Sequence, residues 1–133
     1  MTELSMQTSL VYSAILTLVM ILTAGVGKGR YWTMGGLMYG AGNRDNPPPQ
    51  EPWVGRADRA ANNMMESMLL FVALIAAAQG MGISNEATTL GATLFFWARL
   101  AYFPIYVIGI PWLRTGVWGV AIAGMVIITL ELI

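Results

Sequence analysis

The sequence Arg56-Ala-Asp-Arg-Ala-Ala-Asn-Asn-Met-Met-Glu66 runs without a break into Ser67-Met-Leu-Leu-Phe-Val-Ala-Leu-Ile-Ala-Ala-Ala78. The second part is apolar enough to lie in lipid. A helix that turns by about 100° per residue gathers most polar side chains of the first part into an arc of about 80°. This polar stripe consists of Arg56, Arg59, Asn63 and Glu66. Ionisable groups at membrane depth are costly and usually mark a functional site, so the stripe predicts one wall of a binding site.

The composition of the whole chain is that of an integral membrane protein. Of its 133 residues, 56% are hydrophobic and 11% are charged, whereas soluble domains have about 25% charged residues. Cysteine and histidine are absent, which excludes disulfides, thiolate nucleophiles, histidine bases and most transition-metal sites. The formal net charge is zero and no basic run suits nucleic acid. We therefore expect neither a metal nor a nucleic acid as a partner.

Four apolar stretches are long enough to cross a bilayer core, which takes about 20 residues. They predict helices over about 5–27, 54–80, 86–110 and 112–133 in a single membrane domain spanning 1–133. The first stretch lacks the basic start of a cleaved signal peptide and is interpreted as a retained span. Gly35-Gly36 and the prolines after Asn46 predict a loop over about 28–53, because they break any helix that would cross it. The fold class is all-α, with a bundle of four transmembrane helices as the protomer.

The basic residues are unevenly distributed among the connections between these helices. All of them lie in or beside the first and third connections: Lys28, Arg30, Arg44, Arg56, Arg59, Arg99 and Arg114. Because basic residues favour the cytoplasmic side, these two connections are predicted to be cytoplasmic and both chain ends to be outside. Lys28 and Arg44 are interpreted as topology determinants, and Arg56 as an interfacial anchor rather than a ligand.

A second polar face is predicted on the third of these helices. Arg99, Tyr102 and Tyr106 are spaced by three and four residues, so they share one side of that helix. An arginine inside a span needs a partner, and Glu66 is the expected partner of Arg99. Such an ion pair either fixes the packing of the two helices or belongs to the binding site, and the two interpretations are compatible.

Arginines from several helices are expected to meet at the cytoplasmic end of the bundle. Arg114 and Thr115 begin the last helix on that side, where Arg59 and Arg30 are also expected. The positive charge of these arginines exceeds what nearby carboxylates can neutralise. Because guanidinium groups bind carboxylates through paired hydrogen bonds, the pocket suits a small anion that carries carboxylates.

Two motifs in these helices resemble those of a known family. Arg59-Ala-Ala-Asn-Asn63-Met-Met-Glu66 is similar to the family pattern Arg-Ala-x-x-Asn-x-x-Glu. Ala98-Arg99-Leu-Ala-Tyr102-x-x-x-Tyr106, followed by Pro111-Trp-Leu-Arg114-Thr115, resembles its bacterial members. The family is the MAPEG superfamily, the membrane-associated proteins in eicosanoid and glutathione metabolism, and the resemblance covers most of the chain.

The resemblance implies a homotrimer of four-helix protomers, located in the inner membrane if the chain is a bacterial-type member. It implies glutathione as the cosubstrate, bound between neighbouring subunits near the cytoplasmic face. The implied glutathione ligands are Arg30, Arg59, Asn63, Glu66, Arg99, Tyr102 and Tyr106. Arg114 matches the arginine that stabilises the glutathione thiolate in the family's enzymes, and Thr115 or a tyrosine is the expected extra donor. The implied activity is conjugation of glutathione to a lipophilic electrophile that arrives through the membrane lipid, with peroxidase activity as a variant.

Two departures from the family leave the substrate open. Many members have histidine where this chain has Ala61, and the loop over about 28–55 has no counterpart that aligns. A non-catalytic member that binds a lipid or an anion is the alternative function. A small four-helix exporter is disfavoured, because it would need an isolated acidic residue in the first helix, where the only acid is Glu3.

Overall fold

The structure is a computed structural model that describes residues 4–45 and 48–133. This part of the chain forms five α-helices: α1 (Met6–Gly29), α2 (Met34–Ala41), α3 (Pro52–Met81), α4 (Glu86–Ile108) and α5 (Pro111–Leu132). Four of them, α1, α3, α4 and α5, are long and apolar enough to cross a membrane. The predicted all-α class with four candidate membrane spans is therefore confirmed.

The ends of α4 follow from local chemistry. Asn85 caps its start through a reciprocal pair of hydrogen bonds with Thr88, which satisfies backbone N–H groups that have no partner inside the helix. The helix stops at Gly109, whose φ of 93° is readily adopted only by glycine. Pro111 then starts α5, a position where its missing N–H costs nothing. The short turn between these residues leaves the start of α5 beside the end of α4.

The connection between α1 and α3 contains the helix α2, so the prediction that Gly35-Gly36 breaks a helix there was wrong. The physical reason is the packing of α2 on the end of α1. A Cβ on Gly36 would collide with backbone carbonyl groups at the end of α1, and a Cβ on Gly40 would collide with the ring of Tyr31. These glycines therefore allow a close contact that outweighs their low helix propensity.

Two helix pairs make the most extensive contacts in the bundle: α4 packs on α5, and α1 packs on α3. The α4–α5 contact is so close that a Cβ on Gly91 would meet the carbonyl oxygen of Gly124, and the reverse also holds. Small residues at such positions let helix backbones approach each other within a membrane. Between α3 and α4, the rings of Phe71 and Phe95 stack with their centroids 3.9 Å apart, at the centre of the buried apolar core.

Two polar contacts join the helices where α1 and α4 end and α3 and α5 begin, which we call the polar end of the bundle. The Nε of Arg56 donates a hydrogen bond to the carbonyl oxygen of Val107 at 2.8 Å and ties α3 to the end of α4. The Nζ of Lys28 lies 3.1 Å from Oδ1 of Asp58 and ties α1 to α3. The polar stripe of α3 thus lies at the same end of the bundle as the α4–α5 turn.

Candidate functional site

A groove of about 280 Å³ opens between α3, α4 and α5 at the polar end. Its lining residues are Asn63 from α3, Tyr102 from α4, and Arg114, Thr115 and Trp118 from α5. An amide, a phenol, a guanidinium and a hydroxyl therefore face one space. The first four of these residues were predicted as site residues from the sequence, and the structure brings them together.

Arg99 lies behind the groove rather than in its wall. Its side chain is completely buried, at 0% exposure. Nη1 donates to Oδ1 of Asn63 at 2.8 Å, and Nε donates to Sδ of Met64 at 3.1 Å. The guanidinium carbon also lies 4.2 Å from the ring centroid of Tyr102, within cation–π distance. Arg99 therefore contacts two residues of the groove wall, Asn63 and Tyr102, from the protein side.

The predicted ion pair between Arg99 and Glu66 is not formed. Glu66 is exposed, and the single ion pair within residues 4–45 and 48–133 is that between Lys28 and Asp58. The reason is the rotation of α3 about its axis. Two residues of α3, Asn63 and Met64, contact Arg99. Glu66 lies about 60° around the helix from Asn63 and about 160° from Met64, on the side turned away from Arg99. The amide of Asn63 takes the place expected for the carboxylate.

Among the described residues, no carboxylate therefore forms an ion pair with Arg99. Its Nη2 is buried and has no hydrogen-bond partner among the described residues. A buried guanidinium with an unused donor is costly, and partial compensation comes from Asn63, the sulfur of Met64 and the ring of Tyr102. The arrangement leaves a net positive charge directly behind the groove.

A second arginine, Arg114, contacts Tyr106, whose ring meets that of Tyr102. The guanidinium carbon of Arg114 lies 4.5 Å from the ring centroid of Tyr106. The rings of Tyr102 and Tyr106 meet edge to face, with centroids 5.4 Å apart and an interplanar angle of 65°. Two guanidinium groups thus enclose two tyrosine rings in the order Arg99, Tyr102, Tyr106, Arg114. Neither arginine forms an ion pair within the described chain, so this end of the groove attracts anions.

Thr115 lines the groove, but its hydroxyl is already engaged. Oγ1 donates to the carbonyl oxygen of Pro111 one turn earlier at 3.1 Å. In this arrangement the hydroxyl offers a ligand an acceptor rather than a donor. The donor role predicted for Thr115 stays a prediction, and it requires that this hydrogen bond be exchanged.

Three other predicted site residues lie outside this groove. Arg59 and Glu66 are exposed on α3, and neither side chain has an ion pair within the described residues. Arg30 caps the end of α1, where Nη1 lies 3.4 Å from the carbonyl oxygen of Pro49 and the guanidinium lies 5.8 Å from the ring centroid of Trp32. A single copy of the chain therefore gathers only part of the predicted ligand set.

Two residues of the site were given no site role from the sequence. Trp118 was interpreted only as an aromatic residue of the membrane interface, and Met64 only as packing. Trp118 follows Arg114 by four residues, so the two share a face of α5, and that spacing could have placed Trp118 in the groove. No comparable signal identifies Met64, because its contact with Arg99 depends on how α3 and α4 are rotated.

Comparison with protein families agrees with the resemblance noted in the two motifs. The sequence model of the MAPEG family matches residues 7–133, which is nearly the whole chain. The resemblance to this family is therefore confirmed. Comparison with curated proteins and comparison with solved structures gave no match.

Proposed function

The chain belongs to the MAPEG family, and from this premise we propose that it is a membrane-bound glutathione transferase. It joins the sulfur of glutathione to a lipophilic electrophile. The observation that carries the proposal is the groove in which Asn63, Tyr102 and Arg114 meet, backed by the buried guanidinium of Arg99. A positively charged polar groove in a lipid-facing bundle suits a reaction between a water-soluble anion and an apolar partner.

The chemistry of the groove fits glutathione, which has two carboxylates, one ammonium group and one thiol. The guanidinium groups of Arg99 and Arg114 form no ion pair within the described chain, so a carboxylate or a thiolate can offset their charge. Because Arg99 binds Oδ1 of Asn63, the Nδ2 group of that amide can donate to a ligand. The hydroxyl of Tyr102 adds a neutral hydrogen-bonding group.

The exposed residues of the stripe are assigned to a site completed by another copy of the chain. Arg59 and Glu66 lie on the exposed side of α3, next to Asn63 at the groove. A second copy packed on this side of α3 would enclose them, with Arg59 opposite a carboxylate and Glu66 opposite the ammonium group of glutathione. Arg30 reaches the site of a neighbouring copy in this proposal. Such a site requires an oligomer, and the homotrimer implied by the family resemblance provides it.

Arg114 is the proposed stabiliser of the thiolate. A free thiol of this kind has a pKa of about 8.5, so only a few per cent is ionised at neutral pH. A guanidinium within hydrogen-bond reach favours the ionised form. Lowering that pKa by two units takes about 2.7 kcal/mol of preferential interaction, which a partly desolvated guanidinium can supply. The thiolate sulfur then forms a bond to the electrophilic carbon, the leaving group departs with its electron pair, and the thiol proton passes to water.

Arg99 is proposed as a positioning residue rather than a direct ligand. Its hydrogen bond to Asn63 and its contact with the ring of Tyr102 hold both groups at the groove wall. The ring of Tyr106 in turn supports Arg114. Preorganised groups lose less conformational entropy when a ligand binds. The charge of Arg99 acts on the ligand across these two residues.

The groove is proposed to open towards the cytoplasm. The basic residues cluster at the polar end of the bundle, and basic residues favour the cytoplasmic side of a membrane. Glutathione would then enter from the cytoplasm, and the lipophilic electrophile would arrive from the surrounding lipid.

The proposal is tested with detergent-solubilised wild-type protein, and Arg114→Ala and Arg44→Ala serve as variants. Glutathione binding is measured by calorimetry, and conjugation is measured with a generic aryl halide. We expect wild type and Arg44→Ala to bind and conjugate, and Arg114→Ala to bind without efficient conjugation. Glutathione binding without conjugation in the wild type would instead support a non-catalytic MAPEG protein, and absence of binding would contradict both functions.

A further inference from the structure

The short helix α2 carries an apolar face that the rest of the described chain leaves uncovered. Met34, Leu37 and Met38 are 74%, 54% and 71% exposed. Their spacing places them within an arc of about 100° on one side of the helix. Trp32, two residues before α2 begins, is also 55% exposed.

The opposite side of α2 is fixed to the protein. Gly36 is buried against the backbone at the end of α1, and Gly40 packs on the ring of Tyr31. Neither position has room for a Cβ, so α2 cannot rotate without losing these contacts. The amide N–H of Gly36 also donates to the hydroxyl of Thr33, which caps the helix. The direction of the apolar face is therefore determined by the packing of the glycines.

No other helix covers this face, because α2 contacts only α1 among the described helices. The surroundings of this apolar face follow from the position of α2 along the bundle. α2 follows the end of the first candidate span, so it lies at the polar end of the bundle. α3 and α5 begin at this end, and their second residues are Trp53 and Trp112. Tryptophan is enriched where membrane spans meet water, so these residues mark the level of the membrane surface.

We propose that α2 lies in the plane of the membrane surface, with Met34, Leu37 and Met38 at the boundary between headgroups and acyl chains. Binding of a helix at this depth strengthens with the apolar area that it buries and with electrostatic attraction to anionic lipids. Arg44 follows α2 and forms no ion pair in the described chain, so it complements anionic lipid headgroups. The occupant of the apolar face is thus the lipid bilayer. This inference does not depend on any role of glutathione.

The absence of cysteine from the chain allows a direct test with single-cysteine variants. Met34→Cys, Leu37→Cys and Met38→Cys each carry a nitroxide spin label on the apolar face. Asn43→Cys, at an exposed residue just beyond α2, is the matched control. The labelled full chain is placed in vesicles of phosphatidylcholine and phosphatidylglycerol. Accessibility is measured to oxygen, which concentrates in lipid, and to a nickel chelate, which stays in water.

The expected result is an oxygen-to-nickel accessibility ratio several-fold higher at the three apolar positions than at Asn43→Cys. A ratio at these positions equal to that of the control would place the face in water and overturn the proposal. Protection from both reagents would show that protein, such as a second copy of the chain, covers the face, and this would also overturn it. Using three positions guards against a local effect of one substitution, and all three replace exposed side chains.

Discussion

The polar stripe of α3 divides into an inner and an outer region that differ in their surroundings. The inner region is Asn63, which contacts the buried Arg99 and lines the groove. The outer region consists of Arg59 and Glu66, which are exposed and form no ion pair in the described chain. Residues of one sequence motif therefore have two settings. Asn63 is hydrogen-bonded inside the bundle, whereas Arg59 and Glu66 have no ion-pair partner among the described residues. In the proposed function a second copy of the chain covers Arg59 and Glu66, so the inner and outer regions should respond differently to mutation.

The largest expected effect is that of Arg114→Ala, which removes the proposed thiolate stabiliser from the groove that Asn63 lines. At pH 7 the conjugation rate should fall about 25-fold, because the bound thiol returns towards its ordinary pKa near 8.5 and is mostly protonated. The rate of the variant should then rise about tenfold per pH unit up to that pKa, whereas that of the wild type should level off at lower pH. Rate–pH profiles at saturating glutathione measure this. Superimposable profiles would remove Arg114 from the mechanism.

The second effect concerns the outer region. Arg59→Ala should weaken glutathione binding by about tenfold, since a charged hydrogen-bonding partner of the ligand is lost. Conjugation at saturating glutathione should be retained, because the inner region is unchanged. Calorimetric titration and kcat measurements separate the two quantities. Arg44→Ala, at an exposed arginine outside the stripe, is the control and should bind as the wild type does. Unaltered affinity in Arg59→Ala would mean that the outer region does not contact the ligand.

A smaller effect is expected from the contact between Arg99 and Asn63. Arg99→Met and Asn63→Ala should each weaken glutathione binding about fivefold or more, and the double variant should be little worse than either single one. This non-additivity follows if Arg99 acts by positioning the amide. A merely structural role would instead lower thermal stability without such coupling, and Arg99→Lys would show whether charge alone restores binding. Additive losses would contradict the positioning role.

The smallest effect is expected for the exposed ion pair between Lys28 and Asp58, whose side chains are 46% and 35% exposed. Exposed pairs are screened by water and salt. Lys28→Ala should therefore change the free energy of unfolding by less than about 1 kcal/mol and leave glutathione affinity unaltered. Thermal unfolding at low and high salt measures this. A loss of binding in Lys28→Ala would show that the α1–α3 contact supports the site.

The four spans were predictable because apolar length is a direct signal for crossing a bilayer. The helix α2 was not, because the sequence shows the low helix propensity of Gly36 and Gly40 but not the close packing that needs them. Helix propensity is a weak guide where tertiary contacts determine whether a helix forms.

The lining of the groove was predicted better than its internal contacts. The shared end of the bundle grouped four of its five lining residues, but Trp118 was missed. The partner of Arg99 was predicted wrongly, because an arc of polar residues does not reveal which edge of the arc faces the core. The structure places Asn63 at that edge and leaves Glu66 exposed.

The ionisation state of bound glutathione tests the central claim most directly. Thiolates absorb in the ultraviolet where thiols do not, so a difference spectrum reports the ionised fraction in the complex at neutral pH. The wild type should give a thiolate signal that titrates well below the ordinary thiol pKa of about 8.5, and Arg114→Ala should bind glutathione without this signal. A wild-type protein that binds no glutathione, or binds it with the thiol still protonated, would contradict the proposed mechanism.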